Sequence, residues 1–255
     1  MYTGIFDTHA HYADSSFDPD RAELLGGLPE EGVDCVMLAG CSVADSRACI
    51  ALAEQYPHVW CAVGIHPEQV DGLQEDWYEQ IKGMAAHEKV RAIGEIGLDY
   101  HYEGYDRDLE HAVLEQQLML AKELRLPAIL HIRDAMGDAL GILRQMRPEG
   151  VVHCFSGSAE TARELVSLGL YIGIGGVLTY KNARKVVEAM AVIPEEQLLF
   201  ETDCPYLAPV PYRGKRCDSR MIAAVAERAA EIRGTDAQSL IRIAAENGRR
   251  LFGIA

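Results

Sequence analysis

Six side chains able to bind a metal ion lie in short, separated pieces of the sequence. His9 and His11 sit in DTHAH (7–11), Glu95 in GEIGLDY (94–100), His131 in HIRDA (131–135), His153 in HCFSG (153–157) and Asp203 in ETDCPYL (201–207). On an extended strand the two imidazoles of an HxH pair point the same way, so both can reach one ion. Four histidines and two carboxylates exceed what one tetrahedral ion takes, which predicts two neighbouring divalent ions. Glu95 suits the bridge between them, since each of its oxygens can take one ion. Water on such an ion drops in pKa from 15.7 to about 7, and two ions can stabilise both the attacked and the leaving oxygen of a phosphodiester. Asp203, a carboxylate held beside the ion, is the expected acceptor of the water's proton. Each residue alone has a plainer reading: a hydrogen-bonded strand-end histidine, Glu95 as a helix cap, Asp203 opening the turn into Pro205. Their shared placement at one end of the predicted strands favours the metal.

The elements that must position them alternate between short apolar runs and helical stretches, the pattern of parallel βα units. Eight strands are predicted: 4–7, 34–40, 59–65, 91–96, 128–132, 151–155, 171–175 and 199–202. They are apolar on both faces, as strands covered on two sides should be. Helical spacing is clearest over 106–124, where Leu109, Val113, Leu114, Gln117, Leu120 and Leu124 keep a 3.6-residue period. Gly169 reads as the stop of a helix over 159–168, and two further helices are predicted over 219–233 and 236–252. Eight strands favour a closed (β/α)8 TIM barrel, and all six metal-capable residues then lie at or near the C-terminal strand ends, where barrel enzymes build active sites.

Around that mouth, His66 in GIHP (64–67) closes the third strand, and its expected role is toward substrate or behind the ligands. Arg133, two residues past His131, can face the cleft. The loop after the eighth strand carries Arg213, Lys215 and Arg216 as candidate phosphate contacts, and Tyr206 or Tyr212 to stack on a base or sugar. A solvated loop that merely balances charge is the competing reading. Cys154 and Ser156 adjoin His153, but strand alternation would turn Cys154 to the opposite face, which argues against a His–Cys pair. No GxxxxGK[ST] loop is present, so nucleoside-triphosphate chemistry is not expected. His58, His87, His101 and His111 fall off this face and read as surface residues.

At 255 residues the chain matches one such barrel, and a single domain over 1–255 is expected. The net charge of −15 counts against a general nucleic-acid binder, whose affinity rests on phosphate contacts. It leaves room for an enzyme that takes a short strand or strand end into a metal-lined cleft. Seven scattered cysteines form no CxxC pair and suit a reduced interior. No run reaches the roughly 18 apolar residues of a membrane span, and no secretory signal is recognised. A cytoplasmic protein is expected, with no obligate protein partner in evidence.

The seven motifs together resemble the TatD family of metal-dependent hydrolases, also called TatD-related deoxyribonucleases. The likeness runs nearly the whole chain: DTHAH, GIHP (64–67), GEIGLDY, HIRDA, HCFSG, ETDCPYL and RLFG (250–253) in fixed order. The resemblance implies a barrel of the amidohydrolase type. One ion would sit on His9, His11, Glu95 and Asp203, and a second on Glu95, His131 and His153. It also implies Mg²⁺-, Mn²⁺- or Zn²⁺-dependent hydrolysis of DNA, often as a 3′–5′ exonuclease. The alternative is another bond on the same centre, such as a D-aminoacyl-tRNA ester or a small amide. Two departures bear on substrate preference. Where the family usually has RGKRNEP, this chain runs Arg216-Cys217-Asp218-Ser219, and the usual Thr-rich lead into the last helix becomes Ala244-Ala245-Glu246-Asn247-Gly248.

Overall fold

The structure is a computed structural model that describes residues 1–102, 104 and 106–255. Among these residues eight parallel strands follow one another around a single sheet in sequence order. They are β1 (Ile5–Ala10), β2 (Val33–Ala39), β3 (Val59–Val63), β4 (Val90–Asp99), β5 (Ala128–Arg133), β6 (Gly150–Val152), β7 (Tyr171–Ile174) and β8 (Leu198–Phe200). The last strand returns to the first. Asp203 N donates to His9 O at 3.0 Å and His11 N to Cys204 O at 2.8 Å, beside a parallel bridge from Ala10 to Cys204. The (β/α)8 barrel expected from the alternation is therefore the fold. Because all strands run the same way, their C-terminal ends open on one face.

The helices α1 (Arg21–Gly27), α2 (Val43–Ala53), α3 (Trp77–Met84), α4 (Arg107–Leu124), α5 (Met136–Met146), α6 (Ala159–Ser167), α7 (Arg184–Met190), α8 (Ile222–Arg233) and α9 (Ala237–Phe252) cover the sheet. Asp106 and Asp236 stand just outside α4 and α9, where their carboxylates accept first-turn N–H groups. Strand burial is near complete, which is why β2 and β3 read as continuous apolar runs. A buried network also closes the seam between β1 and β8. Asp7 accepts from Thr202 N at 3.0 Å, from Thr202 Oγ1 at 2.6 Å and from Ser219 Oγ at 2.6 Å.

Five strand ends differ from the sequence expectation by two residues or more. β1 and β4 run on to Ala10 and Asp99, while β3, β6 and β8 stop early at Val63, Val152 and Phe200. Cys154 and Asp203 have φ of 45° and 62°, so the chain turns out of extended geometry just there. Past such a turn strand alternation no longer applies, and both His153 and Cys154 line the cavity that the rule had separated.

Candidate metal centre

The six predicted metal-capable residues meet at the C-terminal mouth, and Glu95 is at their middle. The β4–β5 register shifts between Ile93 and Ile96, which turns Glu95 into the barrel. The backbones then close tightly: a Cβ on Gly97 would stand 1.8 Å from His131 O, so only glycine allows this approach. Glu95 is 2% exposed.

On one side of Glu95 four donor atoms gather. His9 Nε2 and His11 Nε2 are 3.1 Å apart. Glu95 Oε2 lies 3.2 and 3.5 Å from them, and Asp203 Oδ1 lies 3.7 and 3.2 Å from them. Donors at ~2.1 Å from one tetrahedral ion stand roughly 3.4 Å from each other, so these spacings fit a cation. On the other side Glu95 Oε1 is 2.7 Å from His153 Nε2 and 2.9 Å from His131 Nδ1, with the two rings' nitrogens 3.2 Å apart. Inward nitrogens that close, with carboxylate oxygens beside them, form a set that can hold a metal ion. The chemistry of the donor set, imidazole plus carboxylate, suits zinc, manganese and iron alike.

The charge balance follows the geometry. Burial would raise the Glu95 carboxyl, but His153, His9 and His66 around it hold it well below the usual carboxylate range. Burial would likewise raise Asp203, and His11 at its oxygen wins, so it too is held low. Burial would lower His153, yet Glu95 and then Glu201 hold it well above an ordinary imidazole.

Three residues at the mouth had no role in the sequence reading. Asp99 Oδ2 meets His131 Nε2 at 2.9 Å, so His131 turns Nδ1 toward Glu95. Glu201 is buried, takes the Cys154 N–H at 2.5 Å, and stands 3.5 Å from His153 Nδ1. Cys41 Sγ is 3.8 Å from both His11 Nδ1 and Glu95 Oε2. All three sit at strand ends, the position that had picked out the others. Asp99 and Glu201 even fall inside motifs quoted for their neighbours.

The centre lines a cavity of about 690 Å³. His66 is in its wall, with Nε2 3.6 Å from Glu95 Oε1, and burial lowers its pKa to about 3. Arg133 lines it too, with its guanidinium 5.2 Å over the ring of Tyr102. Tyr206 is 55% exposed at the rim, its hydroxyl donating to Asp14 at 3.2 Å. The loop cations are placed otherwise. Arg213 stacks on Tyr180 at 3.9 Å outside the cavity lining, and Arg216 grips Asp20 through both nitrogens. Cys154, though at the cavity, has its thiol pushed well up by burial, so it is no ready nucleophile. Off this face, His58 and His111 are partly buried and hydrogen-bonded, to Leu25 O and Tyr100 Oη, rather than free at the surface.

The family model for TatD related DNase matches residues 6–253. The chain belongs to the TatD family. A Bacillus subtilis (strain 168) protein named "Uncharacterized metal-dependent hydrolase YabD" is 40% identical over 253 residues, covering 98% of this chain and 99% of its own. The Citrobacter rodentium protein named "3'-5' ssDNA/RNA exonuclease TatD" is 34% identical over 258 residues, covering 98% of each. The crystal structure of YJJV, a TatD homolog from Escherichia coli K12, superposes with a TM-score of 0.94 at 31% identity over 100% of both chains. This TatD-family chain is thus a metal-dependent hydrolase, and its mouth carries the His, Glu and Asp side chains able to bind metal. Among the described residues no helix is long and apolar enough to cross a membrane.

Proposed function

We propose that this chain is a 3′–5′ exonuclease acting on short single strands or strand ends of DNA. The observation that carries this is the seven-donor arrangement astride Glu95, opening on a cavity the size of a terminal nucleotide or two. The name of the Citrobacter rodentium relative supports the substrate class.

In this reading His9, His11, Glu95 and Asp203 would hold one divalent ion, and Glu95, His131 and His153 would hold the other. A divalent cation there supplies Lewis acidity toward water and phosphoryl oxygen. The chain's own residues do the rest. Asp203 is ionised and 18% exposed on its side chain, so its second carboxylate oxygen, the one not turned toward the His9–His11 pair, can take the attacking water's proton. Asp99 fixes the His131 ring from behind. Arg133 meets a backbone phosphate, and the exposed ring of Tyr206 stacks on a base.

A second reading has its own observation. Among the described residues the rim carries Asp14, Asp45, Glu68 and Asp134 against one Lys or Arg side chain, that of Arg133. Such a rim opposes a long polyanion and favours a substrate bearing an amine, such as a D-aminoacyl ester.

The test is hydrolysis of 5′-labelled single-stranded DNA in Mg²⁺, Mn²⁺ and Zn²⁺ separately. Glu95→Ala and Asp203→Asn serve as controls, and the rate loss expected is at least about 10²-fold, the scale of one positioned acid–base group. A ladder shortening from the 3′ end in the wild type alone supports the exonuclease. Intact DNA under every metal moves the assignment to the amine-bearing ester.

A further inference from the structure

His66 faces Glu95 in the opposite hydrogen-bonding sense from His11 and His131, whose outer nitrogens donate to Ala39 O and Asp99 Oδ2. It lies three residues past the end of β3 and directly precedes the turn Pro67–Gln69. Its Nδ1 accepts the backbone N–H of Glu68 at 3.2 Å, so that nitrogen carries no proton. A ring with a bare Nδ1 bears its one proton on Nε2, and a protonated nitrogen has no lone pair for an ion. That Nε2 is the atom aimed into the cavity, 3.6 Å from Glu95 Oε1. His66 lies within ligand distance of Glu95 and His131, yet its tautomer makes it a donor. His9 and His11, and His131 and His153, instead oppose pairs of inward nitrogens at 3.1 and 3.2 Å.

The ring is also held from three directions. Gln117 of α4 clamps the preceding residue, accepting from Ile65 N at 2.8 Å and donating to Ile65 O at 3.0 Å. His66 N donates to Cys41 O at 2.9 Å. The imidazole stands edge-on to His131 with centroids 4.4 Å apart. Gln117 is a fully buried amide on a helix whose inner face is otherwise apolar apart from Glu110, and steadying the His66 segment accounts for it.

We propose that His66 is a substrate-contacting residue and not a metal ligand: its Nε2–H donates to a non-bridging oxygen of the scissile phosphoryl group. This rests on the phosphodiester reading above. His66 moves no proton in the step; its bond shortens as charge grows on that oxygen, which is how a fixed donor lowers a barrier.

Two variants of the full chain test it. His66→Phe keeps a ring against His131 and removes the donor, while His66→Gln restores an N–H at similar reach. Three quantities are read: bound Mn²⁺ per chain, affinity of the Mn²⁺-loaded protein for inorganic phosphate, and cleavage of single-stranded DNA. The expected result is wild-type metal content in both variants, with cleavage down about 10²–10³-fold in His66→Phe. Phosphate affinity should fall about tenfold or more in the same variant, and His66→Gln should recover most of both losses. His66→Phe that melts like the wild type but has lost bound metal would make His66 a ligand and overturn the proposal. So would phosphate affinity and cleavage within about threefold of wild type, less than one charge-assisted hydrogen bond is worth. Wild-type protein that leaves DNA intact removes the phosphodiester reading, and phosphate affinity then decides His66 alone.

Discussion

Asp99 and Glu201 stand behind the two imidazoles that face Glu95 Oε1: Asp99 fixes how His131 is turned through a 2.9 Å hydrogen bond, and Glu201 lies 3.5 Å from His153 Nδ1. Such backing carboxylates typically matter 10–100-fold for metal affinity. Asp99→Asn keeps the side chain's size and removes its charge from His131 Nε2. It should weaken Mn²⁺ binding by about 10–100-fold in a chelator-competition titration, and unchanged affinity would show that His131 needs no such partner. The six metal-capable residues were legible in the sequence because each is local: an HxH pair, or a His, Glu or Asp closing an apolar run. Asp99 and Glu201 were not, because their partners lie on other strands, and no spacing in the chain pairs position 99 with 131. Cys154 was misplaced for a related reason. Alternation holds along a strand, and β6 ends at Val152, before the turn with φ 45° at Cys154.

At the scale of elements, the site depends on β4 and β5 approaching at Gly97. Gly97→Ala would press a Cβ against His131 O at 1.8 Å, with backbone on both sides of the clash. It should cost about 3 kcal/mol or more in chemical denaturation, and displace His131 with it. Gly141, inside α5, has nothing within 4 Å of the same added atom, so Gly141→Ala should stabilise by about 0.5–1 kcal/mol. Equal effects at the two positions would contradict this reading of the barrel wall. Strand order and number could be read from apolar runs, and α4 and α9 from period and cap. The period placed Gln117 on α4's inner face but gave neither its task nor the burial of Glu110. Leu109 shares the helical spacing yet is 36% exposed, while Glu110 and Gln117 are buried because they hold Asp99 N and the Ile65 backbone.

The whole molecule carries a net charge of −15, and its mouth repeats that sign. The cations of the 213–216 loop looked available in the sequence, because a charged loop has no register that says where its side chains turn. In the fold Arg216 is committed to Asp20 and Arg213 to Tyr180. In the proposed exonuclease, substrate binding would therefore lean on the metal centre rather than on this loop. Proteins with 6–10 phosphate contacts lose about 10³–10⁵ in affinity between 50 and 200 mM salt. Over the same range kcat/KM on a short single strand should change by less than about tenfold here, and a steep loss would reveal a basic track elsewhere on the surface. The claim beneath all of these is that one carboxylate, Glu95, is shared by two ions at a single barrel mouth. The measurement that tests it most directly is bound metal per chain, by mass spectrometry after dialysis against Mn²⁺, for wild type and Glu95→Ala. Two ions in the wild type and fewer than half of one in the variant are expected; a single ion in the wild type, or a full complement in Glu95→Ala, would contradict the shared carboxylate.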